Sequence, residues 1–110
     1  MRCPKGCDTT LERETVEAIE VDRCSHCHGV WFDEDELPQL LSVPRSSLSL
    51  LAKGKFRPAV DATVGTCPKH GTQLVRAYSK ADRNTTIERC PECHGAWLDG
   101  GELRRLLDAN

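Results

Sequence analysis

Aromatic residues are scarce: two Trp, two Phe and one Tyr, with a single Met, in 110 residues. That leaves too little material for the apolar pocket in which an enzyme buries an organic substrate. No uncharged apolar run approaches the roughly 18 residues that a membrane helix needs, so no span is expected. The opening MRCPKGC carries basic residues but no apolar stretch or small-residue cleavage site behind it, which points away from secretion and toward the cytoplasm. A dominant charge is missing too, since 15 Lys plus Arg against 17 Asp plus Glu leave a net charge of -2. No strong nucleic-acid footprint is therefore present. A chain this short has room for one or two very small domains and no large core.

Cysteine is what the chain does have. Seven are present, and an odd count with no secretory leader favours metal over disulfides. Charge is unevenly spread: residues 1–41 carry four basic and ten acidic side chains, 42–66 four and one, and 67–110 seven and six.

The sequence repeats. RCSHCHGVWFDEDELPQLL at 23–41 matches RCPECHGAWLDGGELRRLL at 89–107, sharing RCxxCHGxWxDxxELxxLL. Upstream, CPKGC at 3–7 and CPKH at 67–70 each precede a Leu by four residues (Leu11, Leu74), the first loop being one residue longer. The chain divides into copy one (1–41), a connector (42–66) and copy two (67–110).

Each copy reads as a loop, two short strands, a second loop and a helix. Ile19 and Val21 alternate with Glu20 and Asp22 as a half-buried strand running into Cys24, and 11–16 supplies an antiparallel neighbour. In copy two 73–78 and 85–89 do the same, with turn composition at 80–84. Asp33 with Glu36, and Asp99 with Glu102, fit a capping box in which the Asp side chain takes an orphan helix N–H and the Glu reaches back. A helix is expected after each, with Leu37, Leu40 and Leu41 repeated by Leu103, Leu106 and Leu107 as an apolar stripe. Pro38 should shorten or bend the first. The connector has linker composition, and Leu48, Leu51 and Ala52 suggest a short helix ending at Gly54.

Copy one offers Cys3 and Cys7, a gap of sixteen residues, then Cys24 and Cys27; copy two offers Cys67 and His70, nineteen residues, then Cys90 and Cys93. Zinc suits both sets because it takes four thiolate and imidazole ligands tetrahedrally. Ligand pairs at opposite ends of a hairpin, seen twice in one short chain, are a specific signal for two Zn²⁺ ions.

The pattern CPxCGxxL, a hairpin, then CxxCxGxWxDxxEL resembles the zinc-ribbon family named for transcription factor IIB, in the small form common in bacterial proteins. Two copies cover 1–41 and 67–107. The resemblance implies a small metal-stabilised α+β fold, two tandem zinc ribbons that are each a β-hairpin with two knuckles followed by a short helix. It also implies a structural zinc in each, with Cys3, Cys7, Cys24, Cys27 and Cys67, His70, Cys90, Cys93 at the ligand positions. Cys7 lies one residue late and His70 replaces the usual Cys, yet both keep a competent donor.

Other readings of the same residues are weaker. Cys-x-x-Cys-His at 24–28 and 90–94 is also the attachment motif for c-type haem, but haem leaves Cys3, Cys7, Cys67 and His70 without a reason. Iron in a four-thiolate site stays a rival, since the same ligands bind it. Disulfide exchange needs an exposed low-pKa thiol, whereas each pair here has a second pair to share a metal with. His28 and His94 follow complete ligand sets and read as surface residues of the knuckles, as does His26. Trp31 and Trp97 read as anchors of a small core more than as stacking platforms for bases. The acidic run at 33–36 reads as a helix N-terminal preference.

Catalytic zinc keeps a position open for water or substrate, and both ligand sets here are complete, so the chain reads as a non-enzyme. It is expected to be a binding module, adaptor or regulator whose partner is protein. Nucleic acid is the second reading, through Arg76, Lys80, Arg83 and Arg89 of the second hairpin with Lys53, Lys55 and Arg57 of the connector. Ionised ligands weigh against it: a four-thiolate zinc site carries -2 and a three-thiolate site -1, which lowers the overall charge to about -5.

Overall fold

The structure is a computed structural model and describes residues 1–34, 36, 39, 42, 44, 62–78 and 86–104. Among these are six short strands: β1 (Glu12–Val16), β2 (Ile19–Arg23), β3 (Val30–Phe32), β4 (Val75–Tyr78), β5 (Thr86–Arg89) and β6 (Ala96–Leu98). The two hairpins expected from alternation are present as β1–β2 and β4–β5. Each copy also has a third strand that the sequence reading placed in the second loop. Three residues buried on both faces show no alternation, so periodicity has nothing to detect in β3 and β6.

Those third strands join the copies. They pair antiparallel with each other, Val30 opposite Leu98, Trp31 opposite Trp97 and Phe32 opposite Ala96. The result is one six-stranded sheet in the order β1-β2-β3-β6-β5-β4, which reads the same from either end. One row of directly opposed residues crosses all six strands as Arg13, Asp22, Trp31, Trp97, Glu88 and Arg76. Its two halves repeat the order cation, carboxylate, indole about a local twofold between the tryptophans.

Opposed residues share a face, so the sheet sorts its side chains cleanly. On one face Ile19, Val21, Val30, Phe32, Ala96 and Leu98 form an apolar cluster with Leu103. The other face carries Trp31, Trp97, Leu11, Leu74 and cysteines of both ligand sets in a second cluster. Both tryptophans are fully buried, which makes them core anchors and removes them as stacking platforms. Each indole lies against the other copy's knuckle. A Cβ on Gly29 would sit 2.1 Å from Trp97 Cζ2, and one on Gly95 2.2 Å from Trp31 Cζ2. The shared Gly-x-Trp spacing is thus a reciprocal exchange between copies.

Among the described residues Glu36 and Gln39 after β3, Ala62 ahead of the second copy, and 102–104 after β6 are helical. The stripe residues Leu37, Leu40, Leu41, Leu106 and Leu107, the bend at Pro38, the connector helix and the turn at 80–84 lie outside the described residues. Copy one closes β1–β2 with a two-residue turn in which Glu17 (φ 50°) and Ala18 (φ 67°) both take left-handed backbone. That is the geometry of a tight hairpin, here without the usual Asn-Gly.

Candidate metal centres

The fold brings together both predicted ligand sets. The donor atoms of Cys3, Cys7, Cys24 and Cys27 all lie within 4.8 Å of one another, and those of Cys67, His70, Cys90 and Cys93 do the same. A tetrahedron of sulfurs about 2.3 Å from zinc has edges of about 3.8 Å, and a sulfur–nitrogen edge is about 3.5 Å. Cys3 Sγ is 3.8 Å from Cys27 Sγ, Cys67 Sγ is 3.8 Å from Cys93 Sγ, and Cys67 Sγ is 3.6 Å from His70 Nδ1. The donors fit one zinc ion at each site, with His70 binding through Nδ1. As zinc sites they are closed, each filling its four positions with protein, and the ion's chemistry is that of a cross-link between the loop before β1 or β4 and the loop after β2 or β5.

Local backbone geometry explains why these residues form knuckles. In copy one Cys24 N–H donates to Gly29 O at 2.9 Å and His28 N–H to Cys24 O at 2.9 Å; Cys90, Gly95 and His94 repeat this at 3.0 and 2.9 Å. Cys27 N–H points at Cys24 Sγ (3.4 Å), and the N–H groups of Glu92 and Cys93 point at Cys90 Sγ (3.4 and 3.5 Å). Thr9 Oγ1 adds a contact to Cys24 Sγ at 3.1 Å. His28 and His94 adopt φ 63° and 61°, a left-handed turn position, and neither belongs to a ligand set. They shape the knuckle through the backbone. The preceding arginine of the repeat holds that turn: Arg23 Nη1 donates to His28 O and Arg89 Nη1 to His94 O, both at 3.2 Å.

Without metal the ligand thiols are unequal. A bond with Cys27 and then burial push the Cys3 thiol up, while the same partnership, opposed by burial, brings Cys27 down to about 5. Burial raises Cys7 and Cys67 to about 11. Burial also resists ionisation of Cys90, but the N–H groups of Cys93 and Glu92 overcome it and the thiol lies low. Loading the metal therefore displaces protons from the reluctant thiols of both sets.

The glutamates of the capping box act as expected. Glu36 and Glu102 reach back to the N–H of Asp33 (2.7 Å) and Asp99 (2.5 Å). The aspartates accept from indoles: Trp31 Nε1 donates to Asp33 Oδ1 at 3.3 Å and Trp97 Nε1 to Asp99 Oδ1 at 2.8 Å. A buried indole N–H needs an acceptor, and the residue two positions on supplies it.

Sequence reasoning missed the lysines of the first loops. Lys5, between Cys3 and Cys7, has no exposed side-chain surface and lies 2.5 Å from Glu88 and 3.1 Å from Asp99 of copy two. Lys69, between Cys67 and His70, pairs with Asp33 of copy one, where both side chains are about 40% exposed. Burial, against the bond from Trp97 and the charge of Lys5, raises Asp99 to about 7. The shared Cys-Pro-Lys was the only signal available, and a lysine in a polar loop ordinarily points to solvent.

Comparison with curated proteins and with solved structures finds no match. The transcription factor zinc-finger family, of the transcription factor IIB zinc-ribbon type, matches residues 2–43 and again 66–109. Those two segments hold all eight donors and both knuckle-to-helix blocks, and with them most of the chain. The chain belongs to this family, as two tandem zinc ribbons.

Proposed function

We propose that the chain is a non-enzymatic, zinc-stabilised interaction module whose partner is protein, acting as an adaptor or regulator in the cytoplasm. The observation that carries the reading is the use made of its cations. Among the described residues Lys5 and Lys69 bridge the ribbons. Arg13 pairs with Glu20 and Asp22, Arg23 with Glu14, and Arg89 holds a knuckle carbonyl. Arg76 stands opposite Glu88 and Arg89 opposite Val75, so these two candidates for phosphate contact lie on opposite faces of the sheet. Lys80, Arg83, Lys53, Lys55 and Arg57 lie outside the described residues. Counterion release needs positive charge concentrated on one surface, whereas the first ribbon is acidic before its thiolates are counted. Closed four-donor zinc sites support a structural over a catalytic role. No helix among the described residues is long and apolar enough to cross a membrane.

The family's description as a transcription factor zinc-finger favours the second reading, nucleic acid. Fluorescence anisotropy with labelled duplex DNA and RNA over a salt series separates the two. Weak, salt-labile binding is expected. Tight binding at physiological salt that Lys80→Glu with Arg83→Glu abolishes would overturn the protein-partner reading.

A further inference from the structure

We infer that the zinc site of each ribbon is held in shape by carboxylates of the other, so that Glu88 and Asp99 are positioning residues for the first site and Asp33 for the second. The inference rests on the two-zinc reading and extends it from two separate sites to one coupled pair.

Lys5 sits in the loop that joins ligands Cys3 and Cys7. Its ammonium enters the second ribbon, between Glu88 Oε2 at 2.5 Å and Asp99 Oδ2 at 3.1 Å, and donates also to Thr63 O. Both carboxylates are themselves fixed: Glu88 Oε1 accepts Gly65 N–H at 2.7 Å and Asp99 Oδ1 accepts Trp97 Nε1 at 2.8 Å. The same loop is gripped through its backbone, where Thr66 N–H donates to Pro4 O at 3.2 Å. Zinc release begins when a ligand loop swings away from the ion. For the first site that movement strips a buried ammonium from two buried carboxylates, and breaking such a pair leaves uncompensated charge in the interior. The second site has the mirror arrangement in weaker form, since Lys69 reaches Asp33 across the same sheet but in partial contact with water.

The placement gives a result that a purely local role does not. Glu88 and Asp99 belong to the second ribbon, on β5 and just after β6, yet the site they guard is the first. The test is site-resolved zinc loss from the full chain. Zinc-loaded protein is challenged with EDTA while the amide resonances of His28 and His94, one in each knuckle, report the two sites, and native mass spectrometry counts the ions. Glu88→Gln with Asp99→Asn is expected to speed loss from the first site about tenfold. The second site should change by less than about twofold. Acceleration at the second site alone, at both equally, or at neither overturns the inference. Should the double variant fail to load zinc, Asp33→Asn decides: loss about twofold faster at the second site with the first unchanged supports the inference, and any other pattern overturns it. Fewer than two ions in the unsubstituted chain marks failure of the two-zinc reading itself, before any variant is compared.

Discussion

The first zinc site has four thiolates, with Cys3, Cys24 and Cys27 buried, a buried lysine closing its first loop and the backbone of residue 66 bound to that loop. Each site leaves one cysteine half-buried, Cys7 in the first and Cys93 in the second, but the second replaces a thiolate with an exposed imidazole and closes its loop with a half-exposed pair. The motif is the same in both, so motif identity does not set how tightly a site is enclosed. What differs is the support each loop receives from the opposite ribbon and the charge of the filled site, -2 for four thiolates and -1 for three.

Four outcomes would sharpen this contrast and one tests the fold beneath it. The largest follows from zinc removal, because metal binding in such modules supplies on the order of 10 kcal/mol of folding free energy. A strong chelator should empty the second site first and then unfold the chain, read by native mass spectrometry beside the near-UV circular dichroism of Trp31 and Trp97. Simultaneous loss, or a persisting tryptophan signal in metal-free protein, contradicts it. The next effect tests the symmetry of the centre. Gly29→Ala and Gly95→Ala each drive a methyl into an indole of the other ribbon, and each should lower stability in urea titration by about 3 kcal/mol. A cost at one position without a matching cost at the other would show that the exchange is not reciprocal.

His70→Cys should bring the sites closer together, slowing zinc loss from the second about tenfold, since a thiolate adds charge to the shell. Competition with a chromogenic chelator measures this, and faster loss would mean that the loop is shaped for imidazole. Arg23→Gln and Arg89→Gln remove equivalent bonds in unequal settings, because Arg23 is buried and also donates to Glu14 at 3.0 Å whereas Arg89 is exposed. Costs of about 2 and about 0.5 kcal/mol are expected from chemical denaturation, and equal costs would remove the asymmetry between knuckles. The last change is of opposite sign. Ala18→Gly should raise stability by about 1 kcal/mol, because glycine takes the left-handed backbone of that turn without a Cβ clash. A lower melting temperature would argue that the turn's side chain makes compensating contacts.

Much of this molecule could be read from residue order. The eight donors announced themselves by spacing, because a knuckle demands close ligand pairs, and β1, β2, β4 and β5 by alternation or symmetry with it. Glu36 and Glu102 were visible as caps for the same local reason. The hidden part is whatever passes between copies. A repeat says that Trp31 and Trp97 have equivalent surroundings, but not whether each meets its own knuckle or the other's, and the pairing of β3 with β6 leaves no trace in either strand. Lys5 shows the limit most plainly: the same Cys-Pro-Lys places one lysine in the interior and the other half in water. Asp33 and Asp99 were assigned to helix N–H groups because that is their commonest local use, and the bond each accepts from the indole two residues earlier was not foreseen.

The antiparallel meeting of β3 with β6 has a consequence for assembly. Strands related by a local twofold present the same patch to one another, which is the rule of an isologous dimer. A protein carrying a single copy of this unit would need a second molecule to cover its indole and its knuckle glycine, and its folding would depend on protomer concentration. Here the two copies share one chain, which makes that encounter intramolecular. The partnership is thereby independent of dilution, and each half is free to diverge in charge and ligand set, as these two have, while the surface between them stays matched.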